Sequence, residues 1–247
     1  MQEASRSTLR PQKTAVLVAR RIVEDIKRDN KKVGDRLPSE KLMLVDYQVG
    51  RGTLRESLRF LEIQGLISLK PGPRGGPVVE QPTGMGLAIA MTLLMQFENA
   101  PYRDIMEARH GLEPLIARLA ASRMSEEQLT ELQKNVELTK EALEDEGTFL
   151  TLNQEFHDLI SRGSGNALFH HLIDAMNGIL DGTAVGVAYP RKQRIAIHEA
   201  HARVLHALVE RNGDAAGDAM GFHISEYATY VEKKFPELMS APIVWVN

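Results

Sequence analysis

The stretch LPSEKLMLVDYQVGRGTLRESLRFLEIQGL, residues 37–66, decides the fold of the first third of the chain. Pro38 followed by Ser39 and Glu40 is a helix start, with proline and an acidic group in the first turn. Leu42, Leu44 and Val45 then give a short apolar face. Tyr47-Gln48-Val49-Gly50 interrupts the pattern, and a second helix is predicted from Arg51 to Gln64. Leu54, Leu58 and Leu61 recur at helical spacing and face a core. Arg51, Arg55 and Arg59 recur at i, i+4, i+8 and share a different, exposed face. A short helix, a glycine-containing turn and a second helix with a basic face form a helix-turn-helix, whose second helix enters the DNA major groove.

Three arginines on one helix face also describe an ordinary solvated surface. The residues that follow separate the two. Gly65 stops the helix, and Ile67-Ser68-Leu69-Lys70 reads as a strand. Pro71-Gly72-Pro73-Arg74-Gly75-Gly76-Pro77 is a tight turn, and Val78-Val79 resumes an extended run. That is a β-hairpin with an arginine at its tip, the wing of a winged helix-turn-helix. Upstream, Val16, Ala19, Ile22, Val23 and Ile26 mark a further helix over residues 14–30.

These residues resemble a known family. The runs Gly34-Asp35-Arg36-Leu37-Pro38-Ser39-Glu40, Val49 to Glu62 and Gly65-Leu66 look like the DNA-binding domain of the GntR family of bacterial repressors. The resemblance implies that Arg51, Thr53 and Arg55 read bases or phosphates and that Lys41 contacts the backbone. Arg74 and Gly75 would place the wing in the minor groove. At Gly50 the family usually has Ser or Thr as N-cap and phosphate contact, and often Thr at Gly52. Glycine caps a helix at a cost of a few tenths of a kcal/mol, and its bare N–H can approach a phosphate.

Composition agrees with two domains of opposite charge. The 247 residues carry a formal charge of −3. Residues 1–82 hold 16 Lys+Arg against 10 Asp+Glu, and the remainder 14 against 23. The positive half contains the helix-turn-helix, the sign that phosphate binding requires. There are no cysteines, which excludes a disulfide, a thiolate metal site or a cysteine nucleophile. The longest apolar run, Met85 to Met95, is short of the roughly 20 residues that span a bilayer. With no secretory pattern at the N-terminus, a cytoplasmic protein is expected. The predicted organisation is mainly α: a tail (1–12), the winged helix-turn-helix (13–80), a linker (81–84) and an all-helical bundle (85–240).

In that second part, helices are predicted at 85–98, 101–124, 125–145, 147–161, 167–180, 191–211 and 215–235. The buried face of the long helix from Pro101 is assigned to Ile105, Leu112, Leu115, Ile116 and Leu119. All eight histidines lie after residue 100. Asn153 and His157 share a helix face at i, i+4, and His201 and His223 flank a tight turn at Asn212-Gly213-Asp214 that would bring them level. A histidine in a helix is commonly structural, and spacing alone leaves both roles open. His110, His170 and His171 read as surface or packing residues, His198 as exposed or supporting a ligand, and His206 as pointing elsewhere.

Residues 85–236 also resemble the FCD ligand-binding domain of the FadR subfamily within the GntR family. The matching stretches are Glu107-Ala108-Arg109, Leu112-Glu113-Pro114, Asn153 to His157, Ser164-Gly165-Asn166 and Glu199 through His223. Metal-binding members use an Asp or Asn, the His four residues on and two further histidines, which fall here on Asn153, His157, His201 and His223. The resemblance implies a divalent metal, zinc or nickel or else manganese, and a small carboxylic-acid effector. Arg109 would pair with a second carboxylate or form a surface or intersubunit salt bridge. The implied protein is a metabolite-responsive regulator acting on operator DNA as a homodimer, more usually a repressor than an activator. Two other readings are a metal-free regulator answering to a long-chain acyl-CoA and a metal-dependent hydrolase or lyase.

Overall fold

Ala15, Val18, Ala19 and Ile22 fall on one helical face, and α1 (Thr14–Arg28) buries all four. In the computed structural model, which describes residues 14–72, 75–183, 187 and 189–244, they anchor the first of two compact units, Met1–Thr83 and Gly84–Asn247. The first unit continues with α2 (Glu40–Asp46), α3 (Arg51–Ile63) and the antiparallel strands β1 (Ile67–Lys70) and β2 (Gly76–Val79). Leu54, Leu58 and Leu61 of α3 close on Val18, Ala19 and Ile22 of α1. The buried Ser57 hydroxyl lies 2.8 Å from the Ala15 carbonyl and ties the two helices together.

Two local details depart from the sequence pattern. Leu42 and Val45 are 57% and 72% exposed, and Met43, at 1%, is what α2 buries. A seven-residue helix presents little more than one side chain per face. Its register is set by Met43 and, one turn on, Tyr47, whose hydroxyl donates to Asp25 Oδ2 at 2.7 Å. The polar link before α2 also has structure. Gly34 N–H donates to Val79 O, Val79 N–H to Asp35 O and Leu37 N–H to Pro77 O, so the segment lines the free edge of β2.

The end of α3 follows from Gly65, whose φ of +70° is accessible to glycine at little cost. Leu66 N–H returns to Leu61 O and Gly65 N–H to Glu62 O, the Schellman pattern that satisfies the last carbonyls. At Gly75 the constraint is space, since an added Cβ would sit 2.1 Å from the Lys70 carbonyl oxygen and 2.7 Å from the Pro71 carbonyl. Gly75→Ala is therefore expected to destabilise the first unit by about 1–3 kcal/mol, the usual scale of local backbone strain. Urea unfolding followed on this unit's transition checks it, and an unchanged midpoint would show that the hairpin yields freely.

The second unit is helical throughout its described residues: α4 (Met85–Glu98), α5 (Tyr102–Arg123), α6 (Glu126–Glu141), α7 (Glu146–Gly163), α8 (Ala167–Thr183), α9 (Arg191–Val209), α10 (Gly213–Lys234) and α11 (Pro236–Ser240). Ser125 and Gln128 form a reciprocal capping box at the start of α6, as the sequence there signals. Central to the unit is α5, which packs against α7, α8, α9, α10 and α11. Its buried face corrects the apolar assignment. Ile105 and Ile116 are buried, but Leu115 is 46% exposed and Leu112 and Leu119 are half-buried. The face actually runs through Tyr102, Ile105, Met106, Arg109, Glu113, Ile116, Ala117 and Ala120. Two charged residues occupy the inward stripe, and their burial rotates the helix away from the leucines.

The turn between α9 and α10 levels the two helices. Arg211 takes φ +55°, and Asn212 Oδ1 caps α10 by accepting from Ala215 N–H at 3.0 Å. Arg211 also donates to Met124 O and to Glu126, fixing the turn to the α5–α6 junction. The C-terminal segment docks beside the start of α5. Tyr102 N–H donates to Ala241 O, Ile243 N–H donates to Ala100 O, and Ile243 is buried. Trp245 lies outside the described residues. No helix among these residues is long and apolar enough to cross a membrane.

Candidate metal centre

Three imidazoles from three helices meet inside the second unit. His157 comes from α7, His201 from α9 and His223 from α10, and all are buried. His201 Nε2 lies 3.3 Å from His223 Nε2, which lies 3.4 Å from His157 Nε2. The same nitrogen of each ring therefore points at one place. A tetrahedral ion with Zn–N bonds of about 2.0–2.1 Å holds its donors about 3.3 Å apart, so these separations fit a divalent ion. Hydrogen bonding among three neutral rings would instead pair a donor with an acceptor and leave the third unmatched.

The tautomers also favour ligation. His157 Nδ1–H donates to Glu113 Oε2 at 2.5 Å, which leaves its Nε2 lone pair pointing inward. His201 stacks flat on Phe156, with ring centroids 3.6 Å apart. Burial, with the neighbouring imidazoles adding to it, lowers the pKa of His201 well below the usual histidine value. Burial and His157 push His223 down to about 3. Near neutral pH both rings are uncharged, the form that binds a metal.

Behind His157 stands Glu113, which the spacing of the histidines alone gives no reason to single out. Its carboxylate bridges His157 and the buried guanidinium of Arg109, whose Nε donates to Glu113 Oε1 at 2.5 Å. Burial acts to raise the Glu113 pKa, but Arg109 and His157 outweigh it and hold the carboxyl well below its ordinary range. Arg109 thus forms a salt bridge, but a buried one within its own helix. The sequence signal for Glu113 is its i, i+4 spacing from Arg109. A carboxylate holding the far nitrogen of a histidine fixes the ring's orientation and raises its basicity toward a metal.

The triad borders a cavity of about 200 Å³. His157 and His223 face it, together with Arg109, Asn153 one turn before His157, Gln154 and Asn177. Three tyrosines complete its polar wall. Tyr189 O–H donates to the Tyr227 hydroxyl at 2.8 Å, and the Tyr102 and Tyr227 hydroxyls are 3.3 Å apart. The remaining histidines do not join the triad. His110 and His206 are exposed, His171 and His198 are half-buried, and His170 lies 3.0 Å from Asp158.

In the first unit, Arg51 and Lys41 are exposed and form no salt bridge among the described residues, while Thr53 is half-buried. Arg55 is exposed and 3.6 Å from Glu40, and Arg59 is paired with Glu62 at 2.6 Å. Gly75 is exposed, and Arg74 lies outside the described residues.

Residues 14–75 match the model of the bacterial regulatory proteins of the gntR family, and residues 104–226 match the FCD domain. The chain belongs to the GntR family. It is similar to an uncharacterised HTH-type transcriptional regulator, YcbG, of Bacillus subtilis, at 28% identity over 88% of each chain. It is also similar to the HTH-type transcriptional repressor NanR of Cronobacter sakazakii, at 26% identity over 91% of this chain and 88% of that one. Among solved structures, a Streptococcus agalactiae GntR protein superposes with a TM-score of 0.67 at 28% identity, covering 87% of this chain and 99% of its own. This GntR protein is accordingly a DNA-binding transcriptional regulator with an FCD domain, from a family of regulators rather than enzymes.

Proposed function

We propose that this GntR regulator is a repressor that binds operator DNA as a homodimer and is released by a small carboxylic acid bound beside a divalent metal. Convergence of three buried Nε2 atoms at 3.3 and 3.4 Å carries the metal reading. His157, His201 and His223 would hold the ion, with Asn153 as the fourth donor. When bound, it supplies a Lewis-acidic seat for the carboxylate. Imidazole donors suit zinc or nickel, and open positions also permit manganese.

All four donors are uncharged, and the Arg109 and Glu113 charges cancel. The full charge of the ion is therefore left for an anionic effector to neutralise. Arg109 lines the cavity and is fixed by Glu113, and it would receive the acid there. A cavity of about 200 Å³ favours a small metabolite over a long-chain acyl-CoA. Repression rather than activation is supported by the NanR relatives, which are HTH-type transcriptional repressors. Lys41, Arg51, Thr53 and Arg55 would contact the operator, with Arg74 and Gly75 carrying the wing to the minor groove.

Metal analysis of purified wild-type protein beside His201→Ala tests the centre. Near-stoichiometric zinc, nickel or manganese in the wild type and its loss from the variant is the expected result. Equal metal content in the two would move the site elsewhere, and none in either after reconstitution would remove it.

A further inference from the structure

Gly84 begins the helical unit, and it is buried although Gln81, Pro82, Thr83 and Met85 around it are exposed. Its N–H donates at 2.5 Å to Oδ2 of Asp174, on α8 and ninety residues further along the chain. A hydrogen bond to an ionised carboxylate is among the stronger kinds. Here it lies at the start of α4, the end of a helix where an anion is favoured. The two backbones also meet closely. A Cβ on Gly84 would sit 2.6 Å from Ala175 N, so only glycine fits against α8 there. Gly84 O accepts from Ala88 N–H at 2.7 Å, which makes the clasped residue the first acceptor of the α4 ladder. One turn further along each helix, Ala88 packs beside Gly178 and is 4% exposed.

In the first unit Glu80 N–H donates to Leu66 O at 3.0 Å, at the foot of the hairpin. Three residues, Gln81, Pro82 and Thr83, separate that hydrogen bond from the clasp. Fully extended they reach only about 10 Å, and Pro82 fixes one backbone angle. We propose that the Asp174–Gly84 clasp sets the length of the tether to each DNA-reading unit, and with it the half-site spacing that the homodimer accepts. A dimer reads two half-sites whose separation mirrors its own geometry. Release of Gly84 lets the first turn of α4 join the tether, and every residue freed adds about 3.3–3.6 Å of reach. That increment matches the rise of one base pair, about 3.4 Å. A longer tether also lowers the effective concentration of the second unit at its half-site.

The clasp rests on the homodimer reading, and one set of duplexes separates the two. Each duplex carries the half-site that the wild-type protein selects from random sequence. It is present once, or as an inverted pair at the selected spacing or at one or two base pairs to either side. Fluorescence anisotropy gives the affinity for each duplex, and sedimentation gives the mass of each protein. The wild type is expected to be dimeric and to bind the selected spacing at least about tenfold more tightly than the others. In Asp174→Ala that preference should shrink severalfold, with weaker binding to the selected pair and unchanged binding to the single half-site. Gly84→Ala forces the linker off α8 without touching the carboxylate; it should act alike and guards against misfolding of the first variant. Asp174→Asn keeps an acceptor for Gly84 N–H and should restore the wild-type profile. A dimeric wild type indifferent to spacing, or a wild-type profile in both alanine variants, overturns the clasp and leaves the homodimer standing. So does an asparagine variant as permissive as Asp174→Ala. A wild type that is monomeric, or that binds one half-site as tightly as two, overturns the homodimer and the clasp with it.

Discussion

Glu113→Ala is expected to lower the melting temperature of the helical unit by roughly 6 to 20 °C. The residue sits between Arg109 and His157 with 3% of its side chain exposed. Removing it strands the Arg109 guanidinium, 7% exposed, in the interior. Breaking a buried pair from one side generally costs about 3–5 kcal/mol, and a unit of this size shifts by about 2–4 °C per kcal/mol. The second effect falls on His157, whose Nδ1 proton loses its acceptor and whose ring loses its fixed direction. Loss of such a partner weakens metal affinity by about 10- to 100-fold. Glu113→Gln should separate the two effects, keeping an acceptor for His157 while still removing the charge opposite Arg109. The double change Arg109→Leu with Glu113→Leu should recover much of the stability, because neither charge is left unpaired, but not the metal affinity. Calorimetric melting and metal titration of the four proteins check this. A Glu113→Ala protein melting within a degree or two of wild type would mean that water or a rearranged helix reaches Arg109.

Glu113 also shows where a single sequence stops being legible. Helix boundaries follow from caps and breakers, Gly65 in the first unit and Ser125 and Asn212 in the second, whose signals act over three or four residues. The level placement of His201 and His223 follows from a tight turn between two helices, again a short-range fact. The inward face of α5 was misassigned because apolar periodicity treats Arg109 and Glu113 as surface residues. Only their mutual neutralisation allows them inside, and that depends on His157, forty-four residues further on. Leu115, which that periodicity puts inside, is left 46% exposed as a result. Met43 and the β2 edge at Gly34–Leu37 failed for a related reason. In segments this short, the partner across the core decides which residue turns inward. Asn177 carried no local signal at all, since an asparagine in a helix is ordinary until the cavity beside it is known.

Arg51→Ala and Arg55→Ala are each expected to weaken operator binding by between roughly thirtyfold and twenty-five-thousandfold. Both side chains share the exposed face of α3, opposite Leu54, Leu58 and Leu61, so removing them leaves the core of the first unit untouched. A lost contact to a base costs about 1–3 kcal/mol, and in the proposed homodimer each substitution is present in both half-sites, giving about 2–6 kcal/mol. Salt separates the two kinds of contact. If Arg51 reads a base, its loss relaxes specificity at one position of each half-site and leaves the salt slope nearly unchanged. If Arg55 neutralises a phosphate, its loss weakens all duplexes alike and lowers the slope by about one per contact. The Arg55–Glu40 pair at 3.6 Å is exposed and does not prevent this, because such pairs are worth about 0–1 kcal/mol. Arg59, held by Glu62 at 2.6 Å, serves as the control and should change affinity least. The measurement is fluorescence anisotropy on a duplex selected from random sequence by the wild-type protein, repeated from 50 to 200 mM salt, the range over which phosphate contacts register strongly. Unchanged affinity and slope in both Arg51→Ala and Arg55→Ala would take α3 out of the major groove and leave the wing as the principal contact.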